Sequence, residues 1–455
     1  PALAAVVLRG EGLRREEGRA CVDAPVGVEG LRRLDVEGPI TAAARVVAHQ
    51  DVEVPEVGYI STDRNILVES VLYGSSREFY FRSRGLSDQC DKAPPLVLRL
   101  SEDNGRSWRE IETWTQYHHV EGPWRWLRWS PTYVYGPGGQ LARLCMGWLD
   151  VEGLVSWDKG NPTPISGLVF VQLSNDLGRT WSPMRQMVFA GEEYNGVHWG
   201  PGLWFGRNRG VLGGPPVYLD DGRFMLTFGT QIVGEPADPM TGRHQSACLF
   251  GRFAEDGSGI AWEMTSYATV GAKQSFYGGV EPSAAMLKDG RLWLTMRVHV
   301  HRDGGFESGG RYYVTSDDMG RTWSEPQVMR YDDTGEKVHI PACLAHVLRS
   351  SRNGRLYMIT NIVDEPAYAC DPRTTLQIAE IEEPSLRVIR DSITVIESRR
   401  PDQPEYIRFS NWARYEDRET GNLVMLMSEN PGNVGRHEEC GVEPHSYRYE
   451  IELPE

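Results

Sequence analysis

Ser174-Asn-Asp-Leu-Gly-Arg-Thr-Trp181 recurs as Ser316-Asp-Asp-Met-Gly-Arg-Thr-Trp323 and as Ser101-Glu-Asp-Asn-Gly-Arg-Ser-Trp108. The starts lie 73 and 142 residues apart, and a degenerate copy from Ala254 to Trp262, with Asp256, Gly257 and Gly259, falls inside the longer gap. Each clear copy follows an apolar run: Leu96–Leu100, Leu168–Leu173 and Arg311–Thr315. The chemistry of the octet is that of a tight turn. Ser and Asp side chains bond nearby backbone amides, Gly supplies positive φ, and Trp starts the next strand, where it can pack between sheets. Asp103, Asp176 and Asp318 are therefore read as structural. A unit of about 70 residues built this way predicts four-stranded propeller blades with insertions.

The rest of the chain agrees. Other short apolar runs, among them Ile66–Tyr73, Arg223–Phe228, Arg291–Val300, Arg355–Thr360 and Asn422–Met427, are mostly bounded by Gly, Asp, Asn or Pro, and long amphipathic helical stretches are hard to find. The 455 residues are 40% hydrophobic and 24% charged, a globular composition, and no run of 18 apolar residues marks a membrane helix. Pro1–Leu8 is too short for a signal-peptide core, so the composition assigns no compartment. The formal charge of −15 opposes long-range capture of nucleic acid or an anionic membrane, so neither is an expected partner. An anionic substrate has to be held by local arginines, which far outnumber the lysines at 92, 159, 273, 288 and 337. The seven cysteines form no CxxC and are widely spaced, which argues against zinc ribbons and disulfide scaffolds. No cofactor-binding motif is present: the glycines around Phe306 are followed by no helix pattern.

The octet resembles the Asp box, or BNR repeat, of the sialidase (neuraminidase) superfamily. The resemblance covers roughly residues 50–430 and implies an all-β fold, a six-bladed β-propeller of four-stranded antiparallel blades, with length alone also accommodating seven. The boxes would sit at the periphery and the active site at the central pocket. Val280-Glu281-Pro282-Ser283, then Lys288-Asp289-Gly290-Arg291 and the strand to Arg297, resemble the segment bearing the family's activating Glu and a carboxylate-binding Arg. The resemblance so implies roles for Glu281 and Arg297. Asn361 and Asp371-Pro372-Arg373-Thr374 resemble the segment of the next such Arg, which implies Arg373. Asp88 and Asp91, ahead of the first octet, are both candidates for the catalytic Asp. Two features depart from the family. Glu53–Ile66 contains no Arg-Ile-Pro, and Arg408-Phe409-Ser410 puts Phe409 where the nucleophilic Tyr is expected, with Tyr406 the nearby candidate.

The residues support a site independently. In Arg297-Val-His-Val-His301 strand alternation puts Arg297, His299 and His301 on one face. That face is either an exposed edge or a pocket wall for an acidic sugar. His-x-His alone supplies two metal ligands with no third visible, so no metal is expected. In Asn195-Gly-Val-His198-Trp199-Gly-Pro-Gly202, His198 is a candidate acid or base and Trp199 a stacking platform for a sugar, unless the loop is merely structural. Residues 1–45 are expected to form an arm or outer strands packed on a propeller of residues 46–455, with the C-terminal strand Ser446–Leu453 pairing early chain to close the ring. The expected function is an exo-acting glycoside hydrolase removing a terminal, carboxylate-bearing sugar from a glycan, though not an ordinary sialidase. The alternatives are a polysaccharide lyase using His and Tyr on uronic-acid glycans, or a non-catalytic glycan-binding propeller.

Overall fold

A computed structural model of the chain describes residues 44–52, 59–68, 71–79, 96–101, 109–114, 117–121, 124–128, 131–136, 139–151, 166–176, 178–233, 243–302, 305–410, 412–417, 419–430 and 446–455. Regular structure there is antiparallel β, with no α-helix among the described residues. The strands form a β-propeller.

Five sheets are regular blades. The first runs Tyr59–Val68, Val71–Phe79, Leu96–Ser101, Arg109–Trp114. Another runs Val211–Tyr218, Phe224–Gln231, His244–Phe253, Ile260–Met264. The blade carrying Glu281 runs Val280–Met286, Leu292–Arg297, Arg311–Ser316, Gln327–Val328. The next runs His346–Arg349, Leu356–Thr360, Thr375–Glu382, Arg387–Val388, with Thr394–Ser398 added to its third strand. The last closes the ring: Ala413–Glu416, Leu423–Asn430, Ser446–Glu452 and then Arg45–Val52, which pairs with Ser446–Glu452 antiparallel from Arg45↔Glu452 to Val52↔Ser446.

Among the described residues the structure thus has five blades, not the six or seven expected, and the other large sheet departs from the four-stranded blade pattern. It has six strands, because Leu141–Val151 is eleven residues long and its inner edge is shared. Thr132–Tyr135 covers Leu141–Leu144, and Trp124–Arg128, brought by the hairpin from Tyr117–Glu121, covers Gly147–Val151. A strand longer than its four-residue neighbour would otherwise leave backbone groups unpaired at a sheet edge. Of the arm expected over residues 1–45, all but Ala44 and Arg45 lies outside the described residues.

The apolar core is distributed as wedges between adjoining blades. Leu144, Val169 and Phe170 meet Leu212, Phe228 and Leu249. Met225, Cys248 and Phe250 meet Leu292, Leu294 and Val314. Trp293 and Tyr313 meet Leu356, Met358 and Ile381, and Ile359, Leu376 and Ile378 meet Met425, Tyr449 and Ile451. Middle strands are covered on both faces, which is why Phe224–Thr230 is buried throughout rather than alternating. Each such side chain contributes about 1.5–3 kcal/mol when fully buried.

Two of the octets have the same geometry. Ser174 Oγ and Ser316 Oγ each donate to the carboxylate two residues on, at 2.7 Å, and accept from the glycine amide, at 2.7 Å. Asp176 and Asp318 in turn accept from the amide and hydroxyl of Thr180 and Thr322. Gly178 and Gly320 sit at φ 80° and 79°, where a Cβ is disfavoured. Trp323 Nε1 donates to Ser266 O at 2.9 Å and so ties its turn to the preceding blade. Trp181 instead stacks under Arg143 in its own sheet, 4.4 Å away. Asp103 and Trp108 lie outside the described residues.

Candidate functional site

One strand from each of five successive sheets touches the next in chain order: Tyr59–Val68, Thr132–Tyr135, Val211–Tyr218, Val280–Met286 and His346–Arg349. At the start of one of them the regular pairing breaks. The register slips between Val280 and Ser283, and Glu281 takes φ +43°, an uncommon conformation for a residue with a Cβ.

Two arginines grip this residue. Arg297 Nη1 donates to Glu281 Oε1 at 2.6 Å. Arg311, its cross-strand partner in register, donates from Nη2 to the main-chain oxygen of Glu281 at 2.7 Å. Arg311 is 1% exposed, and its other contacts are Thr295 Oγ1 at 3.2 Å and Cys343 O at 3.5 Å. Arg373 reaches the same place from the next blade. Its Nε donates to Cys370 O at 2.7 Å, and Arg297 Nη2 lies 3.5 Å from Cys370 Sγ. The rest of the Arg373 fork holds Ser410 Oγ and Ala342 O, at 3.2 and 2.5 Å. Beside it Asp371 is clamped by Arg408 through Nε and Nη2, at 2.7 and 2.5 Å.

Charge follows from these contacts. Burial works to raise the Glu281 carboxyl, but Arg297, with Arg373 behind it, outweighs burial and holds its pKa at about 2. Arg297 is raised in return, the attraction of Glu281 overcoming burial. Burial lowers Arg311 to about 10, so it stays a cation at neutral pH. His299 is pushed down to about 3, first by burial and then by Arg297, and is a neutral imidazole at neutral pH.

The expected shared face is present. Val298 and Val300 are 2% and 3% exposed, whereas Arg297 and His299 are half-buried and His301 is exposed. The Tyr277 ring stacks on His244 at 4.5 Å and lies 5.0 Å from His299. Glu281, Arg297, Arg373 and His299 thus come together. They set two guanidinium groups, one ionised carboxylate and an uncharged imidazole side by side.

Other candidates fall elsewhere. Trp199 is fully buried with its edge on Phe228, inside the wedge of Leu144 and Phe170, so it is core and no face remains to stack on a sugar. His198 is packed face to face on Trp204 at 3.9 Å with Tyr194 against its edge, and its Nδ1 lies 3.1 Å from Glu193 O. Its ring is a structural element of the small ribbon His198–Gly200 and Leu203–Trp204. Phe409 is not a replacement for a pocket nucleophile. It is fully buried beside Ile407 and Trp412, because Arg408 and Ser410 take the opposite face of the strand. Tyr406 is half-buried on the loop leading to it. Asp88 and Asp91 lie outside the described residues, and Asp176 and Asp318 are confined to turns between outer strands. Sequence reasoning missed Arg311, Tyr277, Ser410 and the Asp371–Arg408 clamp. The lone Arg opening the apolar run Arg311–Thr315 was the signal for the first.

The family model for the BNR repeat-like domain matches residues 154–406. No curated protein matches the chain by sequence. A protein of unknown function from Dyadobacter fermentans has the same fold with a TM-score of 0.58 at 16% identity, over 90% of this chain and 99% of its own. A mutant of the NanB sialidase from Streptococcus pneumoniae gives 0.52 at 12% identity, over 87% of this chain and 68% of its own. Trypanosoma rangeli sialidase, solved with sialic acid, gives 0.52 at 14%, over 95% of this chain and 59% of its own.

Proposed function

Because the chain belongs to the BNR repeat-like family, as a divergent member of the sialidase superfamily, we propose that it is an exo-acting glycoside hydrolase removing a terminal, carboxylate-bearing sugar from a glycan. The observation that carries this reading is the meeting of Arg297 and Arg373 at Cys370, beside Glu281. Two forked cations at one place suit a carboxylate, which accepts two parallel hydrogen bonds from each guanidinium. The fold neighbours that are sialidases, one of them holding sialic acid, support the same ligand class.

The substrate is other than the common sialic acids. Phe409 faces the core, so the Tyr-based covalent route lacks its residue at that position. Glu281 stays ionised at neutral pH and cannot donate a proton. It can brace the positive charge of an oxocarbenium-like transition state or take a proton from water, with Asp88 or Asp91 as the acid. The test is a panel of aryl glycosides of sialic acids, related nonulosonic acids and uronic acids. Release of the aryl alcohol from an acidic member, lost in Arg297→Met and Arg373→Met, is expected. Efficient release of N-acetylneuraminic acid by the wild type would overturn the substrate assignment, and no turnover of any member would overturn the enzyme.

A specific contact favours a second reading, a polysaccharide lyase. Tyr277 lies between His244 and His299, and His299 is uncharged beside Arg297. With a uronate carboxylate neutralised by the arginines, His299 can take the proton on the carbon next to it. The C–H electron pair becomes the new C=C bond, and the sugar oxygen on the following carbon leaves with a proton from Tyr277. No water is consumed. An ultraviolet-absorbing unsaturated product from uronic-acid oligosaccharides identifies elimination, and its absence with hydrolysis present excludes it.

A further inference from the structure

From the Glu281–Arg297 pair, two segments run outward side by side. Val280 pairs with Arg297, the amide of Phe276 donates to His299 O at 3.2 Å, and the amide of His299 donates to Ser275 Oγ at 3.0 Å. The two bonds to His299 fasten the segments together beyond the end of the strand, and Ser275 Oγ also donates to Gly278 O at 2.8 Å, closing a turn within the first segment.

Along this track charge gives way to rings. Tyr277 and His299 come first, with centroids 5.0 Å apart. Next, His301 stacks on Phe276 at 4.5 Å with planes 13° apart, and Phe306 follows at 6.1 Å from Phe276. Phe276, Tyr277, His299 and Phe306 are half-buried and His301 is exposed. None of the five belongs to the four apolar wedges that hold the blades together. Arg302, the nearest cation in sequence to His301, is turned over the Tyr368 ring at 4.9 Å. Four residues of extended chain separate Arg297 from His301, roughly 13 Å, which leaves room for a ring beyond the one the arginines hold.

We propose that this strip is a subsite for the leaving side of the substrate: a pyranose ring or an aryl group stacks against the Phe276–His301 pair while the neighbouring acidic sugar is held by Arg297 and Arg373. The inference rests on the acidic-sugar reading above. It applies equally to hydrolysis and elimination, since both need the group beyond the scissile bond to be held. Aromatic faces suit it because the C–H faces of a sugar ring pack on them without needing a charge.

The test is calorimetric binding of matched methyl and para-nitrophenyl glycosides of N-acetylneuraminic acid and of glucuronic acid. Wild type, Phe276→Ala, His301→Ala and Arg297→Met are compared, with Phe276→Leu as a variant that keeps apolar bulk if the alanine chain misfolds. The aryl glycoside is expected to bind wild type about 3- to 10-fold more tightly than the methyl one. That preference should vanish in the Phe276 and His301 variants with methyl-glycoside affinity unchanged, while Arg297→Met weakens both ligands. Equal affinity of the two ligands for wild type, or an aryl preference that survives every ring variant, overturns the subsite and leaves the acidic-sugar reading standing. Aryl binding indifferent to Arg297→Met overturns the continuity of the two sites. Failure of all four ligands to bind wild type overturns the subsite together with the acidic-sugar reading for these two sugars.

Discussion

Replacing Arg297 by Met removes the cation 2.6 Å from the Glu281 carboxylate and tests the electrostatics on which the site depends. Arg297 and Arg373 hold Glu281 at about 2 against an ordinary value of 4.5, with burial pulling the other way. At about 1.4 kcal/mol per unit the gross effect is about 3 kcal/mol. The Glu281 side chain is 40% exposed, so solvent screening reduces what reaches stability to about 1 kcal/mol. The sign follows from the depressed value. The pair stabilises the fold fully above the ordinary carboxylate range, and the contribution is lost as pH falls toward 2. In Arg297→Met burial is less opposed, so the Glu281 pKa should rise by at least one unit. Carbon-13 titration of labelled Glu carboxyls, with Glu281→Gln to assign the signal, reads this directly. Chemical unfolding of wild type and Glu281→Gln from pH 7 to 3 should show a difference that shrinks on acidification. A wild-type Glu281 titrating near 4.5, or one unmoved by Arg297→Met, refutes the reasoning and reopens Glu281 as a proton donor.

Asp176→Ala and Asp318→Ala should each lower the thermal midpoint and flatten its decline between about pH 5 and 2, because hydrogen bonds from the box threonines and serines hold both carboxyls at about 2. Ligand binding should not change, and selective loss of binding in a chain of normal stability would contradict their structural role. His299, held near 3, should show flat imidazole proton shifts from pH 8 to 5, and it should erode stability below about pH 6.5, where only the unfolded chain takes up the proton. A ring titrating near 6.5 would show that burial and Arg297 do not act on it as described. Phe409→Tyr should lower stability by about 1–3 kcal/mol, since the new hydroxyl enters a fully buried wedge, and it should not create sialidase activity. Release of N-acetylneuraminic acid by that variant would mean the ring reaches the pocket.

What was legible in the sequence was local. The octets announce their turns because Ser, Asp, Gly and Thr satisfy one another within eight residues, and the same bonds recur at Asp176 and Asp318. The exposure of Arg297, His299 and His301 against buried Val298 and Val300 matches the alternation read from the sequence, although the strand itself ends at Arg297. What failed depends on pairing between distant segments. Nothing local in Leu141–Val151 shows that two short strands divide its edge. Arg311 reads as the polar start of a strand, and only the register Arg297↔Arg311 puts it under Glu281. Trp199 lies among glycines and reads as exposed, yet the ribbon folds it into a wedge between sheets. For Phe409 the warning was available: Arg408 and Ser410 flank it, and alternation sends an apolar residue between two polar ones to the core face.

The charge balance of the site now explains the arrangement around Glu281. The chain carries −15 overall, so its distant field repels an acidic ligand, and capture has to come from groups at contact range. Arg297, Arg311 and Arg373 supply three cations. Arg297 alone is paired with the Glu281 carboxylate, while the hydrogen bonds described for Arg311 and Arg373 run to neutral oxygens of Glu281, Thr295, Cys343, Cys370, Ala342 and Ser410. Neutral acceptors satisfy the N–H groups without cancelling the charge, so the described residues of the site carry a positive excess. Retaining buried cations in this way costs stability, and an arriving carboxylate relieves that cost. Burial first, and then the same excess, keep His299 uncharged, because a further proton beside the guanidiniums is penalised. Arg311 adds a geometric effect: its bond to the Glu281 carbonyl helps hold the residue at φ +43°, so that the carboxylate meets Arg297 at the edge of the ring strip rather than following the strand.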